Sequence, residues 1–326
     1  MSEANRLAVL GAGAWGTALA IQAARAGNRV TLWARDPEKA AAMRGTRRNP
    51  RLPDAVLEGL RVTADAAEAL EGASLAVLAV PMQPLRAAVA AMPELPPVVA
   101  VAKGVESSSL LLPLEVLAEL RPGLPAAVLS GPNFAHEVAA GLPAAAVLAS
   151  TDPVLRAAAC ARLATPAFRL YEGEDVLGVQ VCGAAKNVAA IAAGAAMGAG
   201  LGENARAALV TRTLAEIARL VVALGGRAET AAGLSGLGDL LLTCTGPSSR
   251  NFALGHALGR GLSPAEALAD SRGVAEGAAT APALLARAAA VGVEMPVSAT
   301  VAAVLAGRLD VAQAVGRLME RPRRSE

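Results

Sequence analysis

The sequence predicts an α/β N-terminal domain on a mostly parallel, doubly wound sheet, followed by an all-α C-terminal domain. Three observations predict it. Short apolar runs recur through the first half, several of them separated by amphipathic or Pro-flanked segments. A glycine-rich turn links the first of these runs to a helix-like segment. From about residue 176 the β-like runs stop, and apolar residues return at helical spacing. A chain of 326 residues suits two cores better than one, and the expected division is 1–178 and 179–326.

The stretch "RLAVLGAGAWGTALAIQAARAGNRVTLWARD" supplies the first elements. Residues 7–10 read as a strand, 17–26 as a helix stopped by Gly27, and 29–33 as a second strand. Between them lies "GAGAWG", residues 11–16. Gly11 permits the tight turn, Gly13 lets the backbone approach a pyrophosphate, and Gly16 lets helix and strand pack closely. Ala14 and Trp15 belong to the same turn, whose unpaired N–H groups suit phosphates. GxGxxG alone is a weak pattern. In a strand–turn–helix–strand context it specifies a Rossmann-like dinucleotide site.

The second strand ends in Trp33-Ala34-Arg35-Asp36. An NAD-selective site has a carboxylate at the strand end for the ribose 2′-hydroxyl. None stands there, and Arg35 can pair a 2′-phosphate or stack on adenine. Asp36 can cap the helix that starts at Pro37. This reading favours NADP(H), with NAD(H) as the alternative.

Further strands are expected at 75–80, 98–102, 126–130, 144–149 and 168–171. Ligands gather beyond the carboxyl ends of such strands, which draws attention to "KGVE" and "GPNFAHE". Lys103 is either a solvated strand-end lysine or one that reaches a phosphate or carbonyl oxygen. In Gly131-Pro132-Asn133, glycine and proline make a sharp turn that can set Asn133 near a ligand. His136 reads as a surface or capping histidine.

In the second half, "CGAAKNVAAIAAG" (residues 182–194) places Lys186 and Asn187 among alanines. A buried ammonium is costly unless it is paired or its pKa falls. Lys186 is thus either a snorkelling helix-end lysine or a functional one. "ARAALVTRTLAEIARLVVALGG" is a helix, with Asn204 as its expected cap and Gly225-Gly226 as its end. Arg212, Glu216 and Arg219 form a polar stripe expected to face solvent or an interface. In "GLSGLGDLLLTCTGPSSRN", Asp239 and Thr243 share a face if that turn is helical. Ser249, Arg250 and Asn251 suit a phosphate, or else form a polar loop with a capping serine. Three or four short helices follow, the first capped by Ser263.

Composition narrows the function classes. There are 30 basic and 28 acidic residues, and the only basic run is the tail "RPRRSE", so no nucleic-acid partner is expected. No strongly apolar run of about 20 residues is evident, so no membrane span is expected. The N-terminus lacks a signal-peptide pattern. Three separated cysteines argue against a disulfide framework and for a reducing, cytoplasmic setting. Two histidines give no zinc spacing, and no metal site is expected.

Taken in order, "GAGAWGTALA", "AKGVE", "SGPNFAHEVA", "CGAAKNVAAIAAG", "ENARAALVTRTLAEI", "GLSGLGDLLLTCT", "SSRN", "VAEG" and "VEMPV" resemble the bacterial-type NAD(P)-dependent glycerol-3-phosphate dehydrogenases over nearly the whole chain. The resemblance implies a Rossmann domain and an all-helical domain. It implies that Lys186 is the catalytic lysine and that Lys103 contacts both cofactor and substrate. Gly131, Asn133, Asp239, Ser249, Arg250 and Asn251 match substrate positions. Ala135, Arg250, Val274 and Glu276 match cofactor positions. It also implies a homodimer, dihydroxyacetone phosphate and sn-glycerol 3-phosphate as substrate pair, and a place in phospholipid synthesis. Ala14 and Asn133 each replace a serine common in the family, Phe252 replaces a basic residue, and "AEGAATA" lacks the usual arginine.

On that resemblance Lys186 is expected to protonate the ketone oxygen as hydride arrives, and to act as base in reverse. An apolar setting and a second cation such as Lys103 would lower its pKa; Asp239 would oppose that. Two other readings share the glycine turn: a dehydrogenase of a 3-hydroxy acid or phosphosugar acid, and a non-catalytic NADP-binding protein. The Ser249-Arg250-Asn251 group separates the first from the phosphate-monoester reading. The combination of Lys186, Asp239 and Arg250 separates the second.

Overall fold

The computed structural model describes residues 5–270 and 275–320. The chain forms two compact units: Met1–Lys103 with Leu112–Val179, and Gly104–Leu111 with Gln180–Glu326.

The first unit is the expected α/β structure. Its strands are β1 (Arg6–Leu10), β2 (Arg29–Trp33), β3 (Arg48–Asn49), β4 (Leu52–Val56), β5 (Arg61–Thr63), β6 (Leu75–Leu78), β7 (Val98–Ala100), β8 (Ala126–Ser130), β9 (Ala144–Ala149) and β10 (Phe168–Gly173). Eight of them form one sheet in the order β10-β9-β8-β7-β6-β1-β2-β5, and β3 and β4 form a separate ribbon. Neighbours in the large sheet run parallel except β8 and β9, which are antiparallel. Leu7 pairs with Val30 on one side and Leu75 on the other. All four residues of β6 and the last four of β1 are buried, as central strands covered on both faces must be. The order reverses at β1, so the turn after β1 sits at the sheet's switch point.

The sequence pattern did not foresee β3, β4 and β5. Two of these have only two or three residues, and β4 contains Pro53, so none shows a sustained β pattern. The first helix spans Ala14–Arg25, starting three residues before the expected position because the glycine turn runs directly into it. Gly27 follows it with φ +88°, the expected left-handed stop. Asp36 caps the helix Pro37–Thr46, accepting from the N–H of Glu38 and Lys39.

The regular elements of the second unit are all helices among its described residues. The helix Val176–Gly198 has 23 residues and is long and apolar enough to cross a membrane. However, 83% of its most apolar window is buried inside the protein, which makes it a core helix. The sequence reading saw no such run because Lys186 and the small residues dilute it. Packed on it is the helix Arg250–Gly259. A Cβ at Gly255 would lie 2.0 Å from the Ile191 carbonyl oxygen, and one at Gly194 would lie 2.0 Å from that of Phe252. Glycines on both helices thus bring the two backbones into contact, and this accounts for the small-residue bias of "AAIAAG". Close packing of this kind gathers many weak dispersion contacts.

Two expectations for the helix Gly202–Ala223 are corrected. Asn204 lies inside it and does not cap it; the N-cap is Leu201, with no side-chain hydrogen bond. Glu216 does not face solvent with Arg212 and Arg219. It is 2% exposed and accepts from the N–H groups of Val297 (2.6 Å) and Ser298 (3.3 Å) and from the Ser298 hydroxyl (3.2 Å). It therefore caps the helix Pro296–Leu305 from another element. Ser263 caps as expected, in a reciprocal box with Glu266.

Candidate active site

In the first unit, the glycine turn is built for close backbone approach. Gly11 donates its N–H to the Trp33 carbonyl at 3.1 Å. A Cβ at Gly16 would lie 2.0 Å from the Gly11 carbonyl oxygen, so only glycine allows the helix to meet the strand. At Gly13 the reason differs. A Cβ there would meet nothing within 4 Å, so its absence leaves a cradle open in front of the helix. Gly13 is the N-cap and offers no side-chain hydrogen bond. The N–H groups at Ala14, Trp15 and Gly16 are thus left to an anion. These features fit a dinucleotide pyrophosphate.

Asn49 on β3 supports the turn. Its buried amide donates to the Ala12 carbonyl (3.1 Å) and to Thr17 Oγ1 (2.6 Å). Sequence reasoning missed Asn49, since a two-residue strand carries no periodicity. At the end of β2, Arg35 is exposed and makes no side-chain hydrogen bond or ion pair among the described residues. Asp36 is committed to its helix cap and to Lys39, at 2.9 Å. The Lys39 contacts hold its carboxyl below the usual range.

Beyond β7 and β8, Lys103 donates to the Gly131 carbonyl at 3.4 Å. A Cβ at Gly131 would lie 2.8 Å from Ala146 Cα. The Asn133 amide nitrogen donates to the Ala145 carbonyl at 3.2 Å, while its oxygen is buried without a hydrogen-bond partner. That oxygen is an acceptor waiting for a donor, as a ligand contact would be. Ala135 opens the helix Ala135–Ala140. His136 is exposed and stacks on Phe134, with ring centroids 5.7 Å apart.

In the second unit, Lys186 is 8% exposed and Asp239 1%. The Lys186 ammonium donates to Asp239 Oδ1 at 2.6 Å and to Thr243 Oγ1 at 2.9 Å. The Thr243 hydroxyl donates to the Asp239 carbonyl, also at 2.6 Å. Asp239 and Thr243 share a face of the helix Asp239–Cys244, as their spacing implied. A π-helical turn, Leu234–Gly238, leads into this helix, and a Cβ at Gly236 would lie 2.0 Å from the Ala231 carbonyl oxygen. The contact with Asp239 favours the charged ammonium. Cys244 nearby has its thiol pushed up to about 12, chiefly by burial. It stays neutral and serves as packing.

Ser249 is buried and caps the helix Arg250–Gly259, accepting from the Phe252 N–H at 3.2 Å. The structure shows the capping-serine reading of "SSRN". The serine caps, while Arg250 is exposed and its side chain makes no hydrogen bond or ion pair among the described residues. Asn251 and Asn187 are 8% and 6% exposed and hydrogen-bonded to each other at 3.0 Å. Glu276 opens the helix Glu276–Ala290; Val274 lies outside the described residues. Among the described residues, no group of three or more His, Cys, Asp and Glu could hold a metal.

Comparison with known proteins gives this arrangement a family. The model of the N-terminus of NAD-dependent glycerol-3-phosphate dehydrogenase matches residues 6–155, and that of its C-terminus matches 175–316. A glycerol-3-phosphate dehydrogenase [NAD(P)+] of Rhodospirillum rubrum is 52% identical, covering 99% of this chain and 94% of the relative. One of Gluconobacter oxydans is 50% identical, covering 99% of each. The crystal structure of glycerol-3-phosphate dehydrogenase from Coxiella burnetii is 39% identical with a TM-score of 0.93, covering 98% of this chain and all of that one. A fold with its glycine turn at the switch point, a buried lysine–aspartate pair in a helical unit, and full-length likeness agree: the chain belongs to the NAD-dependent glycerol-3-phosphate dehydrogenase family.

Proposed function

We propose that the chain is an NAD(P)-dependent sn-glycerol-3-phosphate dehydrogenase that interconverts dihydroxyacetone phosphate and sn-glycerol 3-phosphate for phospholipid synthesis. One observation carries the reading: Lys186, buried in a helical unit, has its ammonium held by Asp239 and Thr243 at hydrogen-bond distance. A buried, oriented, charged donor of this kind suits a ketone that gathers negative charge on oxygen.

The nicotinamide, when bound, supplies or takes up the hydride. The chain's own residues do the rest. Lys186 donates a hydrogen bond and then a proton to the C2 oxygen, and takes the hydroxyl proton in the reverse direction. Asp239 favours the charged ammonium and aims it. Arg250 binds the phosphate as a charge-assisted donor, fixing C2 for attack. Residues Gly11, Gly13, Ala14, Trp15 and Gly16 hold the pyrophosphate. Lys103, Gly131 and Asn133 contribute to the substrate site, and Ala135, Arg250, Val274 and Glu276 to the cofactor site.

Within this proposal NADP(H) is preferred, because Arg35 is exposed and Asp36 is committed to a cap. Residues 1–178 form the dinucleotide domain and 179–326 the substrate domain. The protein works as a cytoplasmic homodimer. The test is oxidation of NADPH and NADH, measured separately by absorbance with dihydroxyacetone phosphate and purified protein. Rapid oxidation supports the assignment. Cofactor binding with no oxidation of either would sink it, and would favour a different hydroxy-acid substrate.

A further inference from the structure

One backbone N–H settles the orientation of two buried amides. Gly277 donates its N–H to Asn251 Oδ1 at 3.0 Å. A backbone N–H can only donate, so the Asn251 atom facing it must be the oxygen. The other end of Asn251 is then Nδ2, which donates to Asn187 Oδ1 at 3.0 Å. The oxygen of Asn187 is thereby committed, and its Nδ2 has no acceptor among the described residues.

The relay depends on tight packing. A Cβ at Gly277 would lie 2.6 Å from the Asn187 carbonyl oxygen and 2.8 Å from Asn251 Oδ1. Asn251 itself has both ends of its amide engaged inside the protein. Arg250, its chain neighbour, has neither that burial nor any such engagement.

We propose that Asn251 is a positioning residue: by relaying the donor polarity of the Gly277 N–H, it holds Asn187 as a hydrogen-bond donor to an acceptor oxygen of the ligand. The inference rests on the dehydrogenase reading, in which Lys186 donates to the substrate oxygen, and extends it to Asn187, the next residue in the chain. It adds control of Asn187 to the place in the substrate site that the family resemblance implies for Asn251. Arg250 remains the phosphate ligand.

Asn251→Asp separates these roles. The carboxylate still accepts from Gly277, so the helix start is kept, but it cannot donate to Asn187. The Asn187 amide then turns over and presents its oxygen. We expect kcat/KM with dihydroxyacetone phosphate to fall by about 10- to 100-fold, with the same fall in Asn187→Ala, and the melting temperature of Asn251→Asp to stay close to wild type. In Asn187→Ala/Asn251→Ala the loss should be no greater than in the worse single variant. Losses that multiply would overturn the proposal, as would Asn251→Asp activity within about twofold of wild type. If Asn251→Ala does not fold, Asn187→Ala/Asn251→Asp completes the same cycle. Wild-type turnover in the same assay tests the dehydrogenase reading separately, since that reading fails only if the wild type is inactive.

Discussion

Lys186 Nζ lies 2.6 Å from Asp239 Oδ1, and the two residues stand 53 positions apart in the chain. Neither is positioned by local structure alone. The helix Val176–Gly198 carries one and the short helix Asp239–Cys244 the other. In the proposed mechanism, removing the ammonium removes the general acid. Lys186→Ala is expected to lower kcat by about 100- to 10,000-fold in a protein that circular dichroism shows to be folded. Near-full turnover in that variant would refute its role.

Arg250 is exposed at the start of a serine-capped helix. Arg250→Ala should raise KM for dihydroxyacetone phosphate by about 10- to 100-fold, the loss of one charge-assisted contact. Steady-state kinetics checks this, and an unchanged KM would favour a substrate without phosphate.

Arg35 offers a guanidinium beside a carboxylate already used as a cap. Arg35→Ala should weaken NADPH binding by about tenfold and leave NADH nearly untouched. Titration of both cofactors by fluorescence would show it. Equal losses would mean that Arg35 stacks on adenine and does not read the 2′-phosphate.

Gly255 meets the Ile191 carbonyl backbone to backbone. Gly255→Ala must push the two helices apart, since neither contacting group is a flexible side chain end. The expected cost is at least about 1–3 kcal/mol, read from denaturant midpoints. A stability gain from the better helix propensity of alanine would contradict the close packing.

Glu216 is an acid whose pKa is raised from 4.5, chiefly by burial, against the lowering pull of its bonds to Val297 and Ser298. The unfolded carboxyl ionises first, so its contribution to stability is complete below 4.5 and is lost as pH rises through the folded value. Glu216→Gln should therefore gain stability relative to wild type as pH rises from about 4.5 towards neutrality. Melting temperatures across that range test this, and a constant difference would count against it.

Much of this molecule was legible because the signals are local. The glycine turn, the strands of the large sheet other than β5, the Gly27 stop and the Asp36 and Ser263 caps each depend on neighbours a few residues away. Asp239 and Thr243 share a face because four residues make one helical turn. Glu216 misled for the same reason. Its spacing with Arg212 and Arg219 described a polar stripe, while its partners lie 81 positions on, at Val297.

By itself the sequence determined the fold class and the family, and it named candidate residues for the chemistry. Tertiary structure decided what each of them touches. It paired Lys186 with Asp239, buried Glu216 as a cap, and joined Asn187 to Asn251 across 64 positions. The physical reason is that periodicity says which face of a helix is buried or polar. Which distant group meets that face depends on how closely two backbones can approach, and here facing glycines set that distance.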